Sequence, residues 1–100
     1  MQLQTLKLVT IVTEDVLRQQ LVNKFIECGA TGYTVQHAYG YGSRGARADA
    51  VAPNLQFEVI CSQEVAEKIL TYVSHHFFAN YACIAWLTDV QVVKGQHYVK

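Results

Sequence analysis

The sequence predicts an α+β domain in which an antiparallel sheet is covered on one face by two helices. Short β-branched or alternating runs occur at residues 6–12, 33–39, 55–61 and 81–87. Two longer stretches instead repeat apolar residues every three or four positions, which is the period of a helix. The resulting order is β-α-β-β-α-β, the ferredoxin-like arrangement of two similar halves. Its second sheet face is left to solvent or to partners.

The first half begins with a buried strand and continues into an amphipathic helix. Residues 6–12 are mostly apolar, with Lys7 as their one charge. Thr13 has the chemistry of an N-cap, and Glu14 and Asp15 suit the positive end of a helix dipole. Gly29 is the expected helix stop. The inward face of this helix is predicted to carry Leu17, Leu21, Phe25, Val22 and Ile26.

The second half repeats the pattern of the first. Residues 55–61 alternate as a half-buried strand does, and Ser62 is the predicted N-cap of the second helix. A final strand begins near Tyr81. After a break at Thr88-Asp89, residues 90–93 continue this strand or form a short fifth one. The inward face of the second helix is predicted to carry Val65, Ile69, Val73 and Phe77.

Length and charge narrow the class of protein. A chain of 100 residues fits a single domain over 1–100. Its 8 basic and 8 acidic residues balance, whereas nucleic-acid binders carry a basic excess. The chain has no apolar run of the roughly 20 residues needed to span a bilayer and no signal-peptide pattern. We therefore expect a cytoplasmic protein without direct membrane insertion, with reduced thiols at Cys28, Cys61 and Cys83.

The segment 40–47 concentrates backbone freedom and positive charge more than any other part of the chain. Its glycines allow turns whose amides form a concave anion nest, and arginine adds a planar fork suited to phosphate. The spacing is neither that of a Walker loop nor GxGxxG. A soluble loop with two arginines is the alternative interpretation. The residues that suit a phosphate contact are Gly42, Ser43, Arg44 and Arg47.

Metal and catalytic chemistry find little support in the sequence. His37, His75 and His76 lack the i, i+4 spacing of a shared ion site. Cys83 has no neighbouring base, and a helix N-terminus accounts for Glu14. We therefore predict no enzyme activity, no metal site and no obligatory cofactor.

Three runs together resemble a known family. These are residues 8–14, 29–35 and 40–47, and they resemble the PII-like signalling proteins, most closely the branch that regulates bicarbonate transport. Residues 57–59 and 77–84 extend the resemblance over nearly the whole chain. The resemblance implies a ferredoxin-like homotrimer with three clefts between subunits. The ligand it implies there is an adenine nucleotide: AMP, ADP, ATP or cyclic AMP.

The resemblance also implies roles for individual residues in the cleft. Ser43, Arg44 and Arg47 match positions that contact the phosphates, and Gly42 matches the glycine that permits close approach. Cys83 matches a strand that offers backbone contacts near the base or ribose. The positions that match the cleft wall are Thr13, Gly32, Tyr33 and Thr34.

The implied target is a bicarbonate or other membrane transporter, which would recruit the protein to the inner face of the membrane. The docking loop after Arg47 is shorter than in many relatives. A uridylylated tyrosine, a second glycine-lysine phosphate loop and a carboxy-terminal cysteine motif have no clear counterpart. One rival interpretation is a trimeric divalent-metal-binding protein of the same fold, which would use His37, His75 or a cysteine. A second is a small ferredoxin-like enzyme of the haem-degrading or monooxygenase type. A third is a member of the PII-like family whose cleft binds either no nucleotide or a different anion.

Overall fold

The computed structural model of the protein describes residues 1–40 and 54–100. Its elements follow the order β-α-β-β-α-β, which confirms the predicted ferredoxin-like α+β arrangement. Two 3₁₀ turns, at Asp15–Leu17 and Gly95–Tyr98, accompany them. The strands and helices are β1 (Leu3–Glu14), α1 (Arg18–Cys28), β2 (Thr34–Ala38), β3 (Asn54–Cys61), α2 (Gln63–His76) and β4 (Cys83–Val93).

The sheet has the strand order β2-β3-β1-β4, with every neighbouring pair antiparallel. The strands β2 and β4 are therefore its two edges. At one end Glu14 opposes Asn54, and Asn54 in turn opposes Ala38. Residues 39–53 connect Ala38 to Asn54, so we call this the loop-bearing end of the sheet. Cys83 begins β4 at the same end, opposite Thr13.

One face of the sheet forms the core with both helices. Alternate residues of β3 are fully buried, as the sequence pattern predicts. The predicted inward residues of the helices are also buried, except that Val22 and Val65 are partly buried and Ile26 is 62% exposed. Ile26 lies one position beyond Phe25, about 100° around the helix, and so falls outside the buried face. The fully buried side chains include Val9, Ile11, Leu21, Phe25, Leu55, Phe57, Val59, Ile69 and Val73.

The other face of the sheet carries no helix in the described part of the chain. Its central row runs across all four strands, from Thr34 through Glu58 and Thr10 to Trp86. Trp86 is 45% exposed, and Ile84, two residues earlier on the same edge strand, is 59% exposed. Large apolar side chains on an open sheet face are typical of an interaction surface. We call this surface the open face.

Two boundaries differ from the sequence expectation. Thr13 is not an N-cap, because its backbone pairs with both Leu55 and Cys83 and stays in β1. The helix α1 begins only at Arg18, without a side-chain cap.

The predicted break in β4 is also wrong, since the strand continues through Thr88 and Asp89. Asp89 opposes Lys7 and forms an ion pair with it, and the Asp89 side chain stays 68% exposed, so the strand continues without burying the charge.

Other helix termini agree with the sequence. Gly29 ends α1 with a φ of 104°, in the left-handed region that favours glycine. The hydroxyl of Ser62 accepts a hydrogen bond from the Val65 N–H at 3.2 Å, as an N-cap does. Neither described helix has both the length and the apolar character needed to cross a membrane.

Gly95 packs so closely that a larger residue cannot fit without movement. A Cβ added at Gly95 would lie 2.7 Å from the Cβ of Gln4. We expect Gly95→Ala to lower the free energy of unfolding by about 1–3 kcal/mol through overpacking. Urea denaturation measures this change. Gly32→Ala is the matched control, because a Cβ there meets nothing within 4 Å, and an equal loss in both variants would contradict the packing argument.

Candidate functional site

The loop-bearing end of the sheet is joined by side chains as well as by strand pairing. The Ala82 N–H donates a hydrogen bond to Glu14 Oε2 at 2.7 Å. The Thr13 hydroxyl donates to the Ala82 carbonyl oxygen at 3.1 Å. Both main-chain groups of Ala82 are therefore held by consecutive residues of β1. This double contact, which we call the Ala82 clamp, fixes the entry of the chain into β4.

Thr13 and Cys83, both predicted site residues, are brought together by this clamp. They are direct cross-strand neighbours. The side chain of Thr13 is 0% exposed, so its hydroxyl positions the strands from inside the core. Cys83 packs partly buried against the same core. The outer edge of β4 carries main-chain donors and acceptors that pair with none of the described strands.

The environment of Cys83 disfavours the thiolate. Burial raises the pKa of its thiol, hydrogen bonding to Thr13 lowers the pKa, and the nearby charge of Glu14 raises it, with a net upward shift. Burial also raises the pKa of Cys61, to about 11. A thiol that stays protonated at neutral pH is a weak nucleophile. The contribution that Cys83 can make to a site is therefore mainly through its backbone.

Three other predicted site residues lie at a different place in the sheet. Thr34 opposes Glu58, in the same row as Thr10, on the far edge from β4. Tyr33 packs its ring against Phe25 and Phe57, at centroid distances of 5.9 and 6.3 Å, and remains 42% exposed. Gly32 is exposed, and a Cβ added there would meet no atom within 4 Å. Within one chain, the structure does not bring this segment together with the Ala82 clamp.

The phosphate-contact residues Gly42, Ser43, Arg44 and Arg47 lie outside the described residues. Ala38 and Asn54, which flank the loop 39–53 that contains these residues, are described. Ala38 and Asn54 are paired neighbours at the loop-bearing end, in the same row as Glu14. The chain therefore leaves the sheet after Ala38 and returns to it at Asn54 on the same end as the Ala82 clamp.

Sequence reasoning misses two polar residues of this end. The sequence pattern indicates a helix-dipole residue at Glu14, but the Glu14 carboxylate holds the Ala82 N–H. Asn54 belongs to no motif, although it lies between Glu14 and Ala38 in the end row. No local signal in the sequence marks either residue, because their proximity results from strand register.

The histidines show no arrangement suited to a metal ion within the described ranges. His76 Nδ1 lies 3.0 Å from the Tyr72 carbonyl oxygen, and its ring stacks on Tyr72. His37 lies on β2, whereas His75 lies on α2. Within residues 1–40 and 54–100, no three metal-binding side chains come together.

Comparison with known proteins identifies the family of this chain. The family model described as nitrogen regulatory protein P-II matches residues 6–97. The chain belongs to the P-II family. This membership confirms the resemblance to PII-like signalling proteins that the sequence motifs indicate.

Solved structures support the same assignment for this P-II chain. One of them is the structure of a protein from Thermus thermophilus that is assigned to the PII-like signalling proteins. Its sequence is 43% identical to this one, the match covers 99% of this chain and 100% of that chain, and the TM-score is 0.85. CPII from Thiomonas intermedia, bound to ADP, AMP and bicarbonate, is 19% identical over 97% and 96% of the two chains, with a TM-score of 0.87. The GlnK–ATP complex of B. subtilis is 15% identical over 84% and 82%, with a TM-score of 0.58.

The Ala82 clamp of this P-II chain can be tested through its hydroxyl. Thr13→Val removes the donor to the Ala82 carbonyl while keeping the side-chain shape. We expect a loss of about 0.5–1.5 kcal/mol in unfolding free energy, measured by urea denaturation. We also expect the pKa of Cys83 to rise further, since the hydroxyl lowers it.

The pKa of Cys83 is measured as the pH midpoint of its alkylation rate, resolved by mass spectrometry. Thr13→Ser keeps the hydroxyl and is the control, so its Cys83 midpoint should stay near that of the unchanged protein. An unchanged midpoint in Thr13→Val would show that the hydroxyl does not act on the thiol.

Proposed function

We propose that this P-II protein is a non-enzymatic sensor of adenine nucleotides. The observation that carries the proposal is the Ala82 clamp, which joins Thr13 to the entry of β4 at the end of the sheet where Ala38 and Asn54 flank the loop 39–53. Two positions that the family resemblance assigns to the nucleotide, Thr13 and Cys83, are therefore neighbours at the end of the sheet that also holds Ala38 and Asn54. The complex of the distant neighbour CPII with ADP and AMP is consistent with this ligand class.

In the proposed site the arginines supply the phosphate contacts. Arg44 and Arg47 offer charge-assisted hydrogen bonds to the phosphates, and Ser43 adds a hydroxyl donor. Gly42 allows the backbone to approach closely. The ligand carries the negative charge that this segment of a neutral chain can bind, and AMP, ADP, ATP and cyclic AMP all present it.

The proposed site lies between copies of the chain in a homotrimer. Thr34 on β2 lies in the same row as Thr10 on β1, which is two strands away in the sheet. Thr13 lies three residues farther along β1. A ligand that touches both the Gly32–Thr34 segment and the entry of β4 is therefore best accommodated between subunits. The open face, with Trp86 and Ile84 partly exposed, offers an apolar surface for such an assembly.

Regulation follows from a difference in ligand affinity between two states of the loop after Arg47. A ligand shifts such an equilibrium only by its preference for one state. We propose that the nucleotide-bound state selects a partner, a bicarbonate or other membrane transporter. The protein would then act in the cytoplasm and be recruited to the inner face of the membrane by that partner.

Isothermal titration calorimetry with AMP, ADP, ATP and cyclic AMP tests the ligand. Arg44→Ala and Arg47→Ala should each weaken binding by about one to two decades, because a charged hydrogen bond contributes about 1.5–3 kcal/mol. Arg18→Ala is the matched control, because it removes an exposed arginine on α1 whose Nε lies 3.7 Å from Asp15 Oδ1. Unchanged affinity in both loop variants would sink the assignment.

Light scattering and the fluorescence of Trp86, the only tryptophan in the chain, test the assembly. We expect a mass near three times 11.2 kDa. Trp86→Glu should dissociate the trimer, because it places a charge in an apolar interface. Ile26→Glu, a change on the exposed side of α1, should leave the mass unchanged. A monomer or dimer of the unchanged protein would contradict the proposed assembly.

A further inference from the structure

The sheet narrows to two strands at the end opposite the loop-bearing end. The strand β3 pairs with β1 from Lys7 to Glu14, whereas β4 pairs with β1 from Leu3 onward. Residues 3–6 and 90–93 therefore form a ribbon that projects from the four-stranded sheet by about 13 Å. We call this ribbon the β1–β4 arm. A two-stranded ribbon alone is at best marginally stable in water, so the arm needs support from elsewhere.

One face of the arm is supported by the end of the chain itself. The 3₁₀ turn Gly95–Tyr98 contacts β1, and Gly95 packs closely against the side chain of Gln4. Leu6 and Val92 alternate onto the same face as Gln4, and both are buried. The part of the open face that the arm carries is therefore already covered.

The opposite face of the arm carries an uncovered apolar pair. Leu3 and Val93 are direct cross-strand neighbours, and each is 50% exposed. By alternation they lie on the helix side of the sheet, where neither helix buries them. An exposed apolar pair on a ribbon that needs support indicates a surface that a partner covers.

A cyclic trimer supplies such a partner in the form of a second copy of the chain. Subunits in a ring meet head to tail, so each copy must offer two different patches, one to each neighbour. The described surface offers two patches at opposite ends of β4 and on opposite faces of the sheet. One is the Leu3–Val93 pair of the arm, and the other is the Ile84–Trp86 pair of the open face. The arm projects beyond its own sheet toward a neighbouring copy.

The charges beside these two patches are complementary. Lys94 directly follows Val93. Glu58 lies in the same row as Trp86, two strands away, at about 10 Å. Within residues 1–40 and 54–100, neither Lys94 nor Glu58 takes part in an ion pair. Opposite charges on two surfaces that meet steer their association and fix their register.

We propose that the β1–β4 arm of one copy packs on the open face of the next copy, with Leu3 and Val93 against Trp86 and with Lys94 facing Glu58. The proposal rests on the homotrimer of the proposed function and adds which surfaces of the chain meet in it. Each copy gives one arm and receives one, so the contacts close into a ring.

Light scattering of an arm variant tests whether the arm is needed for assembly. The double change Leu3→Glu with Val93→Lys removes the apolar pair, but its opposite charges across the two strands keep the ribbon paired. We expect the concentration at which the trimer dissociates to rise about tenfold or more, because charges would enter an apolar contact. Val16→Lys with Ile26→Glu is the matched control, since it also replaces two exposed apolar residues by opposite charges. Its mass should stay that of a trimer.

The fluorescence of Trp86 tests whether the arm meets the open face. Copies with the changed arm are mixed with Trp86→Glu copies, whose arm is intact. Trp86 is the only tryptophan of the chain, so the emission reports only the open face of the arm-defective copies. We expect a blue shift and the mass of two chains, because each pair can form one intact contact. Trp86→Glu copies that also carry the changed arm are the control and should give no shift.

Exchange of the two charges tests the register of the contact. Glu58→Lys and Lys94→Glu should each weaken assembly about tenfold, because like charges would then face each other. Both changes in one chain should restore assembly, since the opposite charges face each other again. Losses that add in the double variant would overturn the proposal.

Failure of this inference is distinguishable from failure of the proposed function. A trimer that persists in the arm variant, or an absence of any Trp86 shift on mixing with intact arms, would overturn the role of the arm alone. A monomeric unchanged protein would overturn both this role and the proposed assembly.

Discussion

The contact on which the rest of the structure depends is the one that Thr13 and Glu14 make with Ala82. Two successive side chains of the central strand β1 hold the N–H and the C=O of the residue just before β4. The strand β4 is an edge, and β1 is its one strand partner among the described residues. Holding the residue that precedes β4 fixes one end of the long β1–β4 ladder, whose register places the side chains of β4 on the open face. The same contact determines where the backbone of Cys83 lies.

The two faces of the sheet have different roles that follow from one alternation. Residues of β1 and β3 that point toward the helices form the core, including Ile11 and Phe57. Their immediate neighbours in the chain point the other way and build the open face and the end row. A substitution on the core face therefore acts mainly on stability, whereas one on the open face acts on the assembly and ligand binding that we propose. Thr13 is an exception, since it faces the core and yet positions the site.

Most of the fold can be predicted from local patterns in the sequence. Alternation identifies β3, and the period of apolar residues identifies both helices, because these signals depend only on which face of an element is buried. The break expected at Thr88-Asp89 does not occur, since Lys7 opposes Asp89 from a distant part of the chain. Thr13 has the local pattern of a helix terminus because its use of Ala82 is equally non-local. For the site, motifs indicate the segment predicted to bind phosphate, but strand register alone brings Glu14 into one row with Asn54 and Ala38.

The pairing of Ala38 with Asn54 has a consequence for how this protein can change. The residues that connect them start and finish on adjacent strands, so the distance to be closed is the same for any number of intervening residues. Loop-closure entropy grows slowly with length, by about 0.6 kcal/mol for each doubling. Insertions and deletions between these anchors should therefore leave the scaffold nearly unaffected. The segment that we propose to dock on a partner can therefore lengthen, shorten or change sequence without altering the two strands that hold its ends.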